Sequence, residues 1–214
     1  FKIALAAELY TQAETVYQDI DAADTSEKVV QKIFRNIMDG LQDTLKLLDY
    51  AAIERAVEII RSARRIAVYG FGNSATVCRD IETRFLRFGM VVQAYSDAHQ
   101  QATSASLLTG KDVVIAVSHT GATLELLDTV RTARAAGAAV IIITSHVHSP
   151  LAKLGDIVLH GMGREVHYSS EAVSSRLIHM AITDALYTAI AMQSPKDYRR
   201  NLQKMRAVIA KKRT

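Results

Sequence analysis

The chain has 214 residues, 49% of them hydrophobic and 22% charged, enough for a substantial core and in keeping with a soluble globular protein. Its formal charge of +4 favours anionic ligands but is too weak to declare a nucleic-acid surface. A single cysteine, Cys78, excludes an intrachain disulfide and fits a reducing cytoplasm, and no apolar run approaches the roughly 20 residues that span a bilayer.

The predicted elements begin with helices. Residues 1–20 carry Ile3, Leu5, Leu9, Val16 and Ile20 among polar positions, a spacing that suits one face of a helix. Next, Ser26 is placed to cap a helix whose apolar positions Val29, Ile33, Ile37, Leu41, Leu45 and Leu48 recur almost every fourth residue. A third helix covers residues 51–63. A helix-turn-helix with Gly40 as its turn is excluded. The stripe continues through Gly40, and Asp39 and Asp43 stand where a DNA-facing surface needs Lys or Arg. The first residue is Phe1 rather than Met, so a preceding segment is expected.

From Arg65 onward, short strands alternate with helices. Residues 66–69, 91–94, 112–117, 140–144 and 157–159 read as strands, and 75–88, 100–108, 122–136 and 151–153 as helices between them. This rhythm implies an α/β fold: a three-layer αβα sandwich with a five-stranded parallel sheet, flanked by N-terminal and C-terminal helices. Gly89, Gly110 and Gly137 fall where helices should stop. Ligands of such sheets sit beyond the carboxyl ends of the strands, so the chemistry belongs in the loops that follow them. A helix at 171–192 is apolar nearly all round, through Leu177, Ile178, Met180, Ile182, Leu186 and Ile190. It must therefore be buried from several sides, by core packing or by a dimer interface. A last helix starts at Pro195, and its basic residues from Arg199 to Arg213 read as a solvated face and tail.

Two loops stand out. The apolar run Val113 to Val117 stops at Ser118, and Ser118, Thr120, Gly121 and Thr123 then lead into Leu124, Leu126, Leu127 and Val130 at helical spacing. A hydroxyl-rich turn that opens a helix gathers backbone N–H groups, the positive end of the helix dipole and side-chain donors at one spot. Each charge-assisted hydrogen bond there is worth roughly 1.5–3 kcal/mol, so a few of them can hold a phosphate or a carboxylate. The first strand ends in Gly70-Phe71-Gly72-Asn73-Ser74-Ala75, which satisfies the letters G-x-G-x-x-A and raises a dinucleotide site as a rival. Only Asp97 is available as a ribose-binding acid, and neither loop has a Walker lysine. His99 and His119 fall near the expected mouth, with His146 and His148 on the loop after the fourth strand. These do not make a metal-ligand pattern, and no metal is expected. Cys78, inside a predicted helix, reads as a buried structural thiol.

With Gly72-Asn73-Ser74 after the first strand and Ser118-His119-Thr120-Gly121-Ala122-Thr123 after the third, the chain resembles the SIS (sugar isomerase) domain. The resemblance runs from about residue 64 to residue 192 and includes Ser149-Pro150-Leu151-Ala152 and Asp156. Arg84-Phe85-Leu86-Arg87-Phe88-Gly89, Glu171-Ala172-Val173-Ser174-Ser175-Arg176 and Thr183-Asp184-Ala185-Leu186 narrow it to the RpiR family of bacterial transcriptional regulators. Phe1-Lys2-Ile3-Ala4-Leu5-Ala6 is similar to the segment after that family's helix-turn-helix domain.

The resemblance implies a flavodoxin-like SIS domain over residues 64–193, packing helices over 1–63 and a basic helix and tail over 194–214. It implies a truncated cytoplasmic regulator that binds a phosphosugar effector without a cofactor, forms a homodimer or homotetramer, and meets DNA only through a missing N-terminal domain. Ser74, Ser118, Thr120 and Thr123 would hold the phosphate, with Gly72 and the backbone of Asn73, His119 and Gly121 assisting. Glu171 matches the isomerases' catalytic glutamate and would grip a sugar hydroxyl here; Arg84 stands where relatives often have Lys and is read as lying on a helix face. The rival reading is an aldose–ketose phosphate isomerase in which Glu171 moves a proton and a histidine such as His99 opens the sugar ring.

Overall fold

The computed structural model describes residues 20–163 and 173–212. Two helices come first, α1 (Ser26–Leu47) and α2 (Tyr50–Ser62). Five strands follow: β1 (Ile66–Tyr69), β2 (Val92–Tyr95), β3 (Val113–Ser118), β4 (Ala139–Thr144) and β5 (Ile157–His160). Between them lie α3 (Asn73–Phe85), α4 (Ala98–Ser106) and α5 (Leu124–Ala135), with 3₁₀ turns at Leu86–Phe88 and Ala152–Leu154. The helices α6 (Val173–Gln193) and α7 (Pro195–Ala210) complete the described elements. All but the last residue of the helix expected at 1–20 lies outside the described residues, as does Glu171.

The strands pair in the order β2-β1-β3-β4-β5, all parallel. From β1 the chain steps outward to β2, then crosses back over β1 to β3, so the carboxyl ends of β1 and β3 flank the switch in strand order. Alternate residues serve opposite layers. Val68, Ile115, Val117, Ile141 and Ile143 pack with Ile60 of α2, Ile81 and Phe85 of α3, and Ile182 and Leu186 of α6. Tyr69, Val114, Ala116, Val140 and Ile142 pack with Ala105 of α4 and Leu126 and Val130 of α5. The central strand β3 is buried along its whole length, which is why its sequence is a continuous apolar run rather than an alternation. Each fully buried Val or Ile of this kind contributes roughly 1.5–3 kcal/mol.

Capping chemistry moves several helix starts from their expected places. Thr25, not Ser26, caps α1 by accepting the Lys28 N–H, and α4 begins at Ala98 because Asp97 accepts the Gln100 N–H. Asp97 is thus a helix cap. Gly72 and Thr123 hold the cap positions of α3 and α5, which start at Asn73 and Leu124 rather than Ala75 and Ala122. The strand expected from Val91 runs one residue later. The short helix expected at 151–153 is the 3₁₀ turn Ala152–Leu154.

The stripe expected to bury α1 is also corrected. Helix α1 is unbroken through Gly40, but Leu41 and Leu45 are exposed, whereas Asn36, Gly40 and Thr44 are buried. A spacing of four residues drifts around a 3.6-residue helix, and the face that docks on α6 is the one bearing the small side chains. Thr44 accepts the Met162 N–H there at 2.9 Å. Helix α6 buries Ile178, Ile182, Leu186 and Ile190 and packs against α1, α2 and α3, so core packing covers most of its apolar surface. Arg84 lies on a helix face, where it ion-pairs with Asp80 (2.6 Å) and with Asp184 of α6 (2.5 Å). Among the described residues no helix is long and apolar enough to cross a membrane.

The amino-terminal ends of β1 and β3 are tied by one buried carboxylate. Asp112 accepts from Arg64 Nε and Nη2 (2.9 and 2.8 Å) and from the Thr109 N–H and hydroxyl (2.8 and 2.9 Å). The Arg64 guanidinium, with the Thr109 donors and against the penalty of burial, holds the Asp112 carboxyl well below the usual carboxylate range. Replacing Asp112 by Ala strands those donors and is expected to cost about 3 kcal/mol in urea unfolding. Because the native group binds its proton more weakly than the unfolded one, its contribution is complete above about pH 4 and is lost on further acidification. Asp112→Ala should therefore flatten the acid limb of a stability–pH curve.

Candidate functional site

A cleft of about 410 Å³ opens at the carboxyl ends of β1 and β3, the position at which parallel sheets of this order bind ligands. Its wall combines Phe71, Gly72, Asn73 and Ser74 after β1 with Ser118, His119, Thr120 and Thr123 after β3. The two hydroxyl loops singled out in the sequence thus meet in one wall. Gly121 does not line the cleft; it shapes the turn. Its φ is +62°, and a Cβ there would come within 2.2 Å of Ser149 Oγ.

The hydroxyl loop is held by its own hydrogen bonds. Ser118 Oγ accepts the Gly121 N–H at 3.0 Å, and Thr120 Oγ1 accepts the Ala122 N–H at 3.3 Å. A hydroxyl that accepts in this way still has a proton to donate to a ligand. Thr123 stands at the cap of α5, yet its side chain makes no capping bond, and Gly72 has no side chain with which to cap α3. By contrast α1, α2 and α4 are capped by Thr25, Asp49 and Asp97. Two helix N-termini without side-chain caps therefore open on one cleft. The first turn of α3 is partly closed by backbone bonds from Ser74 to Phe71 and from Ala75 to Gly72, both 3.0 Å.

Among the described residues the cleft wall contains no Asp, Glu, Lys or Arg. An anion there would meet hydroxyls, amides and the positive ends of two dipoles. The missing lysine also weighs against a nucleoside triphosphate. A smaller cavity adjoins, walled by Asn73, Ser74 and His119 together with Ser175, Arg176 and His179 of α6. Arg176 thus lines a cavity that adjoins the cleft.

Sequence reasoning missed the polar cluster behind His119. Its carbonyl accepts from the Ser145 N–H (3.2 Å), the Thr144 hydroxyl (3.2 Å) and His146 Nδ1 (2.8 Å). Its ring Nδ1 lies 2.8 Å from Ser175 Oγ, Ser175 Oγ lies 3.2 Å from Ser145 Oγ, and Ser145 Oγ lies 3.1 Å from His179 Nε2. Burial pushes His179 down to about 3, so it is neutral at physiological pH. The signal available in the sequence was the spacing of Ser175 and His179, four apart and hence on one helix face. His99 is a correction. It lines a separate cleft with Arg65, Gln93 and Tyr95, beside the edge strand β2, which shares no residue with the first. Among the described residues no group of His, Cys, Asp or Glu is arranged to hold a metal ion.

The model of the SIS domain family matches residues 59–189. The transcriptional regulator RpiR of Escherichia coli K12 is 33% identical over 201 residues, spanning 94% of this chain and 68% of that protein. The chain belongs to the RpiR-type SIS-domain regulators. An uncharacterised HTH-type regulator of Thermotoga maritima aligns with 98% of this SIS-domain chain and 75% of its own length, at 32% identity. The NanR protein of Vibrio vulnificus, solved in complex with ManNAc-6P, superposes with a TM-score of 0.82 at 28% identity, covering 88% of this chain and 72% of that one.

Gly121→Ala should combine backbone strain with a clash against Ser149. The expected loss is about 3 kcal/mol, a fall in melting midpoint of roughly 6–12 °C by calorimetry.

Proposed function

We propose that this SIS domain is the effector-binding part of its regulator and that the effector is a phosphosugar whose phosphate sits at the start of α5. The observation that carries the proposal is the convergence of two helix N-termini, neither capped by a side chain, on one cleft walled by Ser74, Ser118, Thr120 and Thr123. Gly72, whose φ is +53°, lets the α3 loop approach without a side chain, and the backbone of Asn73, His119 and Gly121 holds the donors in place. Arg176, which lines the adjoining cavity, is proposed to add positive charge. The complex of NanR with ManNAc-6P supports the same ligand class.

Sensing is preferred over isomerisation. His99, a histidine expected to open the sugar ring, lies in the other cleft of the same chain, and the relatives RpiR of Escherichia coli and the Thermotoga maritima protein are named as transcriptional regulators. Glu171 is proposed to grip a sugar hydroxyl. A sugar phosphate regulates only through unequal affinity for two arrangements of the protein. We assign the change of arrangement to a homodimer or homotetramer that carries DNA-reading domains. Its contact surface is proposed to include the exposed apolar ridge of α1, where Val30, Phe34, Met38 and Leu45 are each more than half exposed.

Titration calorimetry with hexose 6-phosphates and the matching free sugars tests the assignment. Saturable binding of a phosphorylated sugar alone, weakened at least about tenfold by Ser118→Ala, is the expected result. Conversion of the bound sugar to its isomer would transfer the assignment to the enzyme reading. Phe34→Glu combined with Leu45→Glu should shift the sedimentation coefficient to that of a monomer while leaving the far-ultraviolet spectrum unchanged.

A further inference from the structure

The cluster behind the cleft is costly for a purely structural feature. Ser175 and His179 are 0% and 1% exposed, and an apolar pair would fill the same space without polar groups to satisfy. The side chains nevertheless form a continuous chain from the cleft wall into α6: His119 Nδ1, Ser175 Oγ, Ser145 Oγ and His179 Nε2, with successive separations of 2.8, 3.2 and 3.1 Å. The segment after β5 presses on the same helix face. A Cβ on Gly163 would lie 2.1 Å from Ser175 Oγ, and one on Gly161 would lie 2.7 Å from His179 Cδ2. Both side chains are thus clamped by the segment after β5, and His119 has its carbonyl fixed by three donors. Its ring is tied to α6 through Ser175.

We propose that Ser175 is a positioning residue: it ties the His119 ring to α6, so that seating of an anion in the hydroxyl loop and the placement of α6 change together. Helix α6 packs on α1, which carries the exposed apolar ridge, so the tie reaches from the cleft wall towards that ridge. The proposal rests on the phosphosugar reading above and adds the residue through which occupancy is felt. The Ser175 hydroxyl both donates and accepts, so it can join His119 to Ser145 where an Ala leaves a gap between two groups that cannot reach each other.

The test uses the full chain with glucose 6-phosphate, fructose 6-phosphate, N-acetylglucosamine 6-phosphate and N-acetylmannosamine 6-phosphate as probes. Hydrogen exchange across Val173–Gln193 and the imidazole nitrogen shifts of His119 and His179 are recorded with and without each probe. In the unmodified chain a binding probe should slow exchange in α6 by roughly fivefold or more and move both imidazole signals. In Ser175→Ala the probe should still bind, within about tenfold of its original affinity, and move His119 while α6 exchange and His179 no longer respond. Ser118→Ala, saturated with probe, should keep the α6 response, which separates anchoring from positioning. Should Ser175→Ala not fold, Ser145→Ala breaks the same chain one link further on and should silence His179 alone. A response of α6 in Ser175→Ala equal to that of the unmodified chain overturns the proposal, as does binding of a probe with no response in α6. If none of the four probes binds the unmodified chain, the phosphosugar reading itself falls and takes this proposal with it.

Discussion

The structure is organised around the unmet electrostatic demand at the start of α5. A helix leaves its first N–H groups without intrahelical partners and concentrates positive potential there, and at α1, α2 and α4 the side chains of Thr25, Asp49 and Asp97 answer that demand. At α5 the residue in the cap position has a hydroxyl that is not so used, and the preceding turn spends Ser118 and Thr120 on its own amides instead. The loop is thereby rigid before any ligand arrives. A preorganised ring of donors costs little entropy when an anion enters, and this separates a binding loop from an ordinary cap.

The sheet order makes this arrangement possible. Placing β3 beside β1 brings the loops after both strands to the same crevice, and the ion pairs of Asp112 hold β1 and β3 together at their other ends. The polar chain through His119, Ser175, Ser145 and His179 then couples that crevice to the helix that packs on α1 and α2.

Much of this was legible in the chain because it rests on short-range rules. Strands β1, β3 and β4 are nearly uninterrupted apolar runs, buried on both faces, and their ends differ from the expected ones by a residue at most. Ser74, Ser118, Thr120 and Thr123 were legible as residues around strand ends; Ser118 closes β3, Ser74 lies in the first turn of α3, Thr120 and Thr123 lie between β3 and α5, and all four line the cleft. What escaped needed tertiary information. The face of α1 that docks is decided by small residues at Gly40 and Thr44, which hydrophobic periodicity cannot weigh. His99 stands near the expected mouth in sequence, but its helix lies beside the edge strand and turns it to another cleft. Ser175 and His179 read as part of an apolar helix, because nothing local announces that Ser145, in a different loop, completes their hydrogen bonds.

The most direct test of the central claim is a crystal structure of this chain grown with a saturating hexose 6-phosphate. The account predicts phosphate oxygens within about 3 Å of the hydroxyls of Ser118 and Thr120 and of the backbone N–H groups that open α5. A phosphate lodged instead beside Arg65 and His99, or a sugar bound with its phosphate directed to solvent, would contradict it.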